Sequence, residues 1–164
     1  VAWPKGKRAA VLVEKCSELG VERIIPLRCA RSVVTKDEES EGVARLRRIA
    51  AEAAKQSGRS EVPDIAAEIS FEQALRDLVP EALAVVLDPR ATQSLVALLL
   101  EKRELLRSRP LLLLVGPEGG FSAEEIDALE KASAQRALLG PHVLRVETAA
   151  VAACAVAAAI MLTK

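Results

Sequence analysis

Apolar and polar positions along this chain change period several times, and the changes mark out its elements. In "RAAVLVEKCSELG", Ala9, Leu12, Val13, Cys16 and Leu19 recur at helical spacing, and Gly20 stands where a C-terminal cap belongs. "VERIIPL" is β-branched and closes near a proline, the pattern of a strand. The acidic residues 35–41 predict a loop. Val43, Leu46, Ile49, Ala50 and Ala53 then predict a helix over residues 42–59, with Arg45, Arg47 and Arg48 read as its solvated face. "EVPDI" reads as extended. "SFEQALRDLVP" opens with Ser70 and carries Gln73 three residues later, a capping box, and stops at Pro80.

The second half alternates more regularly. Strand "LAVVLDP" leads to helix "TQSLVALLLEKRELLRS", then strand "PLLLLVGP", helix "SAEEIDALEKAS", strand "RALLG" and a long Ala-rich helix from about Thr148. "LAVVL" and "LLLLV" are unbroken apolar runs, as expected of strands buried on both faces. The fold class that follows is α/β, a mostly parallel sheet with helices on each side.

Composition narrows the picture. At 164 residues the chain is expected to form one domain with a single substantial core. Lys+Arg and Asp+Glu are equal at 23 each, which is not the footprint of a strong free-standing nucleic-acid binder. Cys16, Cys29 and Cys154 are scattered and there is one His, so no metal site is expected. Unpaired, widely spaced cysteines suit reduced thiols in a cytoplasmic protein. The run from Ala149 to Leu162 is too short and Ala-rich to span a membrane.

In parallel α/β sheets, ligands bind beyond the carboxyl ends of the strands. Three such ends carry unusual residues here: "LDPRA", "GPEGGFS" and "LGPHVLRVETA". The turn "GPEGG" precedes a helix capped by Ser122, with Glu125 completing a capping box. That accounts for the glycines but not for Glu118. Neither G-x-G-x-x-G nor a phosphate loop is present, and the turn holds no cation. A glycine loop without a cation suits a neutral or cationic ligand read by main-chain groups, such as an adenosine bearing a sulfonium. Arg145, Glu147 and Thr148 gather where the last helix begins; the plainer reading is a surface ion pair and a Thr N-cap.

"LLLLVGPEGGFSAEEI" followed by "LLGPHVLRVETAAVAA" closely resembles the RsmE-type methyltransferases, which methylate N3 of a uridine in 16S ribosomal RNA. "EKCSELGVERIIPL", "RSVV" and "RLRRIAAEAAKQSGRSEVPDI" match the same family in the same order. The resemblance implies a SPOUT fold with a C-terminal trefoil knot around S-adenosyl-L-methionine. It also implies a homodimer joined through the C-terminal helix, with 16S rRNA of the small subunit as partner. Two departures stand out. His142 replaces the family's common Arg. The family's N-terminal barrel-like RNA-binding domain, about 70 residues on the scale of small domains, is expected to be absent from residues 1–164, which read as the catalytic domain, either cut from a longer chain or from a protein that lacks that module.

Uridine N3 must lose a proton before it attacks, so the chemistry calls for a base and a donor to the carbonyl oxygens. The resemblance leaves Glu118 and Glu147 as alternative bases and makes Arg145 the oxygen stabiliser. Gly116, Glu118, Gly119 and Gly120 would give the cofactor backbone access, with Leu87, Leu139, Gly140, Leu144 and Thr148 around it. Aromatics are scarce, so RNA contacts fall to Lys5, Lys7, Arg8, Arg31 and Arg59. Two other readings stay open: a non-catalytic RNA-binding or ribosome-assembly module on a methyltransferase scaffold, or a SPOUT methyltransferase acting on another RNA position.

Overall fold

The computed structural model describes residues 1–32 and 39–162, and the side chains of 39–41 are outside that description. Helix α1 (Lys7–Glu18) leads to short strands β1 (Arg23–Ile24) and β2 (Leu27–Arg28), then α2 (Glu39–Gln56), β3 (Asp64–Ile65), β4 (Ile69–Ser70) and α3 (Phe71–Asp77). There follow β5 (Leu83–Leu87), α4 (Leu95–Glu101), α5 (Arg103–Leu106), β6 (Leu111–Val115), α6 (Ala123–Lys131), β7 (Gln135–Ala137) and α7 (Val146–Leu162).

Every strand pair among the described residues is parallel: β1 with β3, β2 with β4, and β5 between β6 and β7. The first residues bridge the β2–β4 pair to the three-stranded sheet of β5, β6 and β7. Leu27 N–H donates to the Val1 carbonyl at 2.8 Å, and Ala2 N–H donates to the Val115 carbonyl at 2.7 Å. Side chains of β5 alternate between two cores. Ala84 and Val86 pack with α3 and α6, while Leu83 and Val85 pack with α4 and α7. The β5 run is buried on both faces, as its unbroken apolar sequence predicts. In β6 Leu114 and Val115 are buried and Leu111–Leu113 half-buried, and the strand borders an open groove that also takes in Ala150, Cys154 and Ala157 of α7.

Several expectations shift at element ends. "VERIIPL" is not one strand: the chain leaves the ladder at Ile25-Pro26, where proline has no N–H to give. The predicted loop at 35–41 is partly helix, since α2 begins at Glu39; residues 35–38 lie outside the described residues. The helix predicted over 92–108 breaks at Lys102 (ψ 15°), and Leu105 and Leu106 turn back against the α4/α7 core. Both predicted capping boxes form, Ser70 with Gln73 and Ser122 with Glu125. Helix α7 starts at Val146, whose burial draws the first turn inward. Thr148 therefore sits inside that turn and is not its cap.

Candidate active site at three strand ends

Register decides where the chemistry gathers. Leu87 is level with Val115 on one side and with Ala137 on the other, so β5, β6 and β7 end together. The turns that follow enclose a cavity of about 370 Å³. Its walls include Leu87, Val115, Ile126 and Leu139, the backbone of Gly116–Gly120, and Val146 and Ala149 from the first turn of α7.

The glycine turn is held from several directions. Gly120 N–H donates to the Pro117 carbonyl at 2.8 Å and takes φ +67°, a conformation that favours glycine. A Cβ on Gly116 would stand 3.0 Å from the Phe121 ring, so this glycine makes room for a core aromatic as well as lining the cavity. A Cβ on Gly119 would meet only Arg31, at 3.4 Å. Arg31 Nη1 donates to the Gly119 carbonyl at 2.8 Å. Glu125 is buried, with Oε2 on Ser122 N–H and Oε1 on Ala30 N–H, each at 2.8 Å. The same carboxylate thus caps α6 and docks the loop that carries Arg31.

Of the residues singled out from sequence, Leu87, Gly116, Glu118, Gly119, Gly120, Leu139, Gly140, Leu144 and Arg31 all line this cavity. Arg145 and Thr148 are exposed at the start of α7 and are not among its walls. Glu147 is half-buried, and its Oε2 is buried with no hydrogen-bond partner among the described residues. Glu118 is exposed and meets Arg8 Nη1 at 3.4 Å. Lys5 and Lys7 are exposed near Arg8 in the chain, whereas Arg59 is occupied within the fold. Its Nη1 donates to the Ser17 and Val21 carbonyls at 2.7 and 3.2 Å, closing the end of α1. Arg47, read as a solvated residue, donates to the Ile65 carbonyl at 3.2 Å.

Asp88 and Arg90 line the cavity too and were not among the site residues named from sequence; His142, noted there as standing where the family commonly has Arg, is also in the wall. The "LDPRA" strand end was the available signal. Burial works to raise the Asp88 pKa, but the Arg90 backbone N–H and the guanidinium groups of Arg90 and Arg136 outweigh it. The carboxyl is held below its ordinary value. Among the described residues no His/Cys/Asp/Glu group could hold a metal ion.

A family profile for the RNA methyltransferase domain matches residues 1–158. The chain belongs to that family. It is 35% identical over 150 residues to the ribosomal RNA small subunit methyltransferase E of Bacillus subtilis (strain 168), covering 89% of this chain and 59% of that protein. The protein of the same name from Mycobacterium tuberculosis is 34% identical over 158 residues, covering 93% of this chain and 58% of that one. Among solved structures, ribosomal RNA small subunit methyltransferase E from Neisseria gonorrhoeae bound to S-adenosyl methionine superposes with a TM-score of 0.80 at 31% identity, over 92% of this chain and 60% of that chain. A methyltransferase from Legionella pneumophila with bound SAM gives 0.79 at 33% identity, over 94% of this chain and 62% of that chain. The chain thus spans about three-fifths of these relatives, 58–62% of their length.

Proposed function

We propose that this chain is the catalytic domain of an S-adenosylmethionine-dependent methyltransferase acting on small-subunit ribosomal RNA in the cytoplasm, with N3 of a 16S uridine as the target atom. The observation that carries this reading is the cavity at the three strand ends, with leucine and valine side chains and accessible glycine backbone in its walls, in a family with two solved relatives bound to this cofactor.

The cavity fits the cofactor. Its volume of about 370 Å³ lies in the range of small-molecule sites, roughly 300–1,000 Å³. The walls from Leu87 and Leu139 suit an adenine ring, and Gly119 and Gly140 leave their Cβ positions open to a ligand. When bound, S-adenosylmethionine supplies an electrophilic methyl group on a sulfonium.

Glu118 takes the N3 proton in this reading: of the two carboxylates on the cavity wall, Asp88 is buried and held by Arg90 and Arg136, whereas Glu118 faces solvent where a nucleotide enters. Arg8 would then be shared between Glu118 and the RNA backbone. Arg145, exposed beside the cavity, donates to the uracil oxygen as charge builds there. Arg31, Lys5 and Lys7 neutralise phosphates.

The trefoil knot belongs to the same proposal. Leu138 is clasped by Gln93 and Leu95 backbone groups at 2.8–2.9 Å, and α7 then packs against α4, β6 and α1. Val146 and Ala149 share the cavity with the two preceding turns, as expected if the last segment passes through them. Homodimerisation is supported by the groove of about 840 Å³ along β6 and α7, beside which Met161 is 54% exposed. The deciding experiment is methylation of small subunits with labelled cofactor, with the product identified by nucleoside mass spectrometry. A product other than 3-methyluridine would reject the target atom, and the absence of cofactor binding by calorimetry would reject the reading as a whole.

A further inference from the structure

The end of β5 carries charges to which the reading above gives no task. Asp88, 5% exposed, accepts the Arg90 backbone N–H at 2.9 Å, Arg90 Nε at 3.2 Å, Arg90 Nη2 at 3.4 Å and Arg136 Nη2 at 2.9 Å. Arg136 Nη1 is taken by Glu130 at 3.1 Å, so that guanidinium is committed to two carboxylates. Arg90 is held by one edge only. Its side chain is 67% exposed in the cavity wall, and Nη1 has no hydrogen-bond partner among the described residues. The other guanidinium of this cavity, Arg31, already spends its Nη1 on the Gly119 carbonyl.

A guanidinium fixed along one edge presents the other as a planar fork, the geometry that matches a carboxylate. Because Asp88 holds it in advance, little side-chain freedom is lost when a ligand arrives. Besides the Arg90 and Arg31 guanidiniums the walls are Asp88, Glu118, His142, apolar side chains and glycine backbone, and none of them offers a carboxylate a planar cationic fork. An RNA phosphate is better met by cations free to reach outward, as Lys5 and Lys7 are. Arg90 is instead turned back onto its own turn by its contacts with Asp88.

We infer that Arg90, positioned by Asp88, receives the carboxylate at the amino-acid end of the cofactor; this rests on the cofactor reading above. Two probes isolate the carboxylate: S-adenosylhomocysteine and its decarboxylated analogue, which keeps the adenosine, sulfur and amine. Calorimetry should show wild type binding S-adenosylhomocysteine more tightly than the analogue. Arg90→Ala should weaken S-adenosylhomocysteine about tenfold, the low end for a charge-assisted hydrogen bond at an exposed group. The analogue's affinity should not change, and Arg90→Lys, which keeps charge but loses the fork, should fall between. The fold should survive Arg90→Ala, since Asp88 keeps the residue-90 backbone N–H and the Arg136 guanidinium.

Equal losses for both probes would make Arg90 a wall residue and overturn the inference, as would no loss for either. Unchanged S-adenosylhomocysteine affinity with a raised KM for small subunits would reassign Arg90 to an RNA phosphate. Wild-type protein with equal affinity for the two probes would overturn this inference alone. Wild-type protein binding neither would overturn the cofactor reading and this inference with it.

Discussion

Ala30 N–H donates to Glu125 Oε1 at 2.8 Å across 95 residues of sequence, while the other oxygen of the same carboxylate caps α6 through Ser122. One buried side chain therefore fixes two backbone segments, one bearing Arg31 and the other bearing the glycine turn. Replacing it with Ala removes the acceptor of two part-buried backbone N–H groups, Ala30 and Ser122. Glu125→Ala should lose about 1–3 kcal/mol of stability, from the lost helix cap and the lost charge-assisted hydrogen bond to Ala30. Urea unfolding measures this; a loss under about 0.5 kcal/mol would show that the two segments hold each other without Glu125.

The glycines of the turn should separate by readout. Gly116→Ala drives a methyl to within 3.0 Å of the Phe121 ring and 3.1 Å of its backbone nitrogen, so it should destabilise by about 1–3 kcal/mol. Gly119→Val has only Arg31 to meet, at 3.4 Å from the Cβ, and should leave the melting temperature nearly intact while abolishing cofactor binding. Calorimetry and thermal melts on both variants test the split. The opposite pattern would mean that Gly119 is structural and Gly116 faces the ligand.

Asp88 should make stability depend on acid. Its folded-state pKa is depressed, so its contribution is fully present above the ordinary carboxylate range and is lost as pH falls through the lowered native value. At neutral pH, Asp88→Asn should cost about 2–3 kcal/mol, less than a fully buried pair because Arg90 is 67% exposed. The gap in urea midpoint should be constant above about pH 5 and narrow below about pH 4. A gap that does not change between pH 7 and pH 3 would assign the cost to packing and not to charge.

Arg145→Ala should lower single-turnover methylation of small subunits by ~10²–10³, the usual cost of losing one charge-stabilising donor. Cofactor affinity should stay near the wild-type value, since Arg145 is not part of the cavity wall. Wild-type turnover in this variant would remove Arg145 from the chemistry.

For the dimer, the informative position is Met161. Ala157, a small residue of the same helix, is 7% exposed and packs with Leu95, Leu98 and Leu99 inside the chain. A charge there would disturb the fold. Met161 lines the open groove and is half-exposed, so Met161→Glu should shift light scattering from dimer to monomer without lowering the monomer's helix content. A wild type that scatters as a monomer would retire the interface.

Local pattern by itself determined the alternation of elements, the parallel sheet, both capping boxes and the strand-end turns. Each of these depends on residues within a few positions of one another. The pairing of "GPEGG" with "LRVETA" was likewise legible as a family signature, and the cavity collects the glycines and leucines taken from it. The tertiary structure decided what depends on distant partners. Pro26 splits a strand only because its neighbours pair with β3 and β4, and Val146 starts α7 early because the core buries it. Arg59, read from sequence as an RNA contact, closes α1 instead, since the end of α2 is brought beside the Ser17 and Val21 carbonyls. Cys16 and Cys154, scattered in sequence, bring their sulfurs to 4.0 Å where α1 crosses α7. Most of all, Asp88 and Arg90 join Arg136 only because β5 and β7 end in register. Hydrophobic periodicity reports which face of an element is buried, but a buried carboxylate's partners are set by which strands lie side by side.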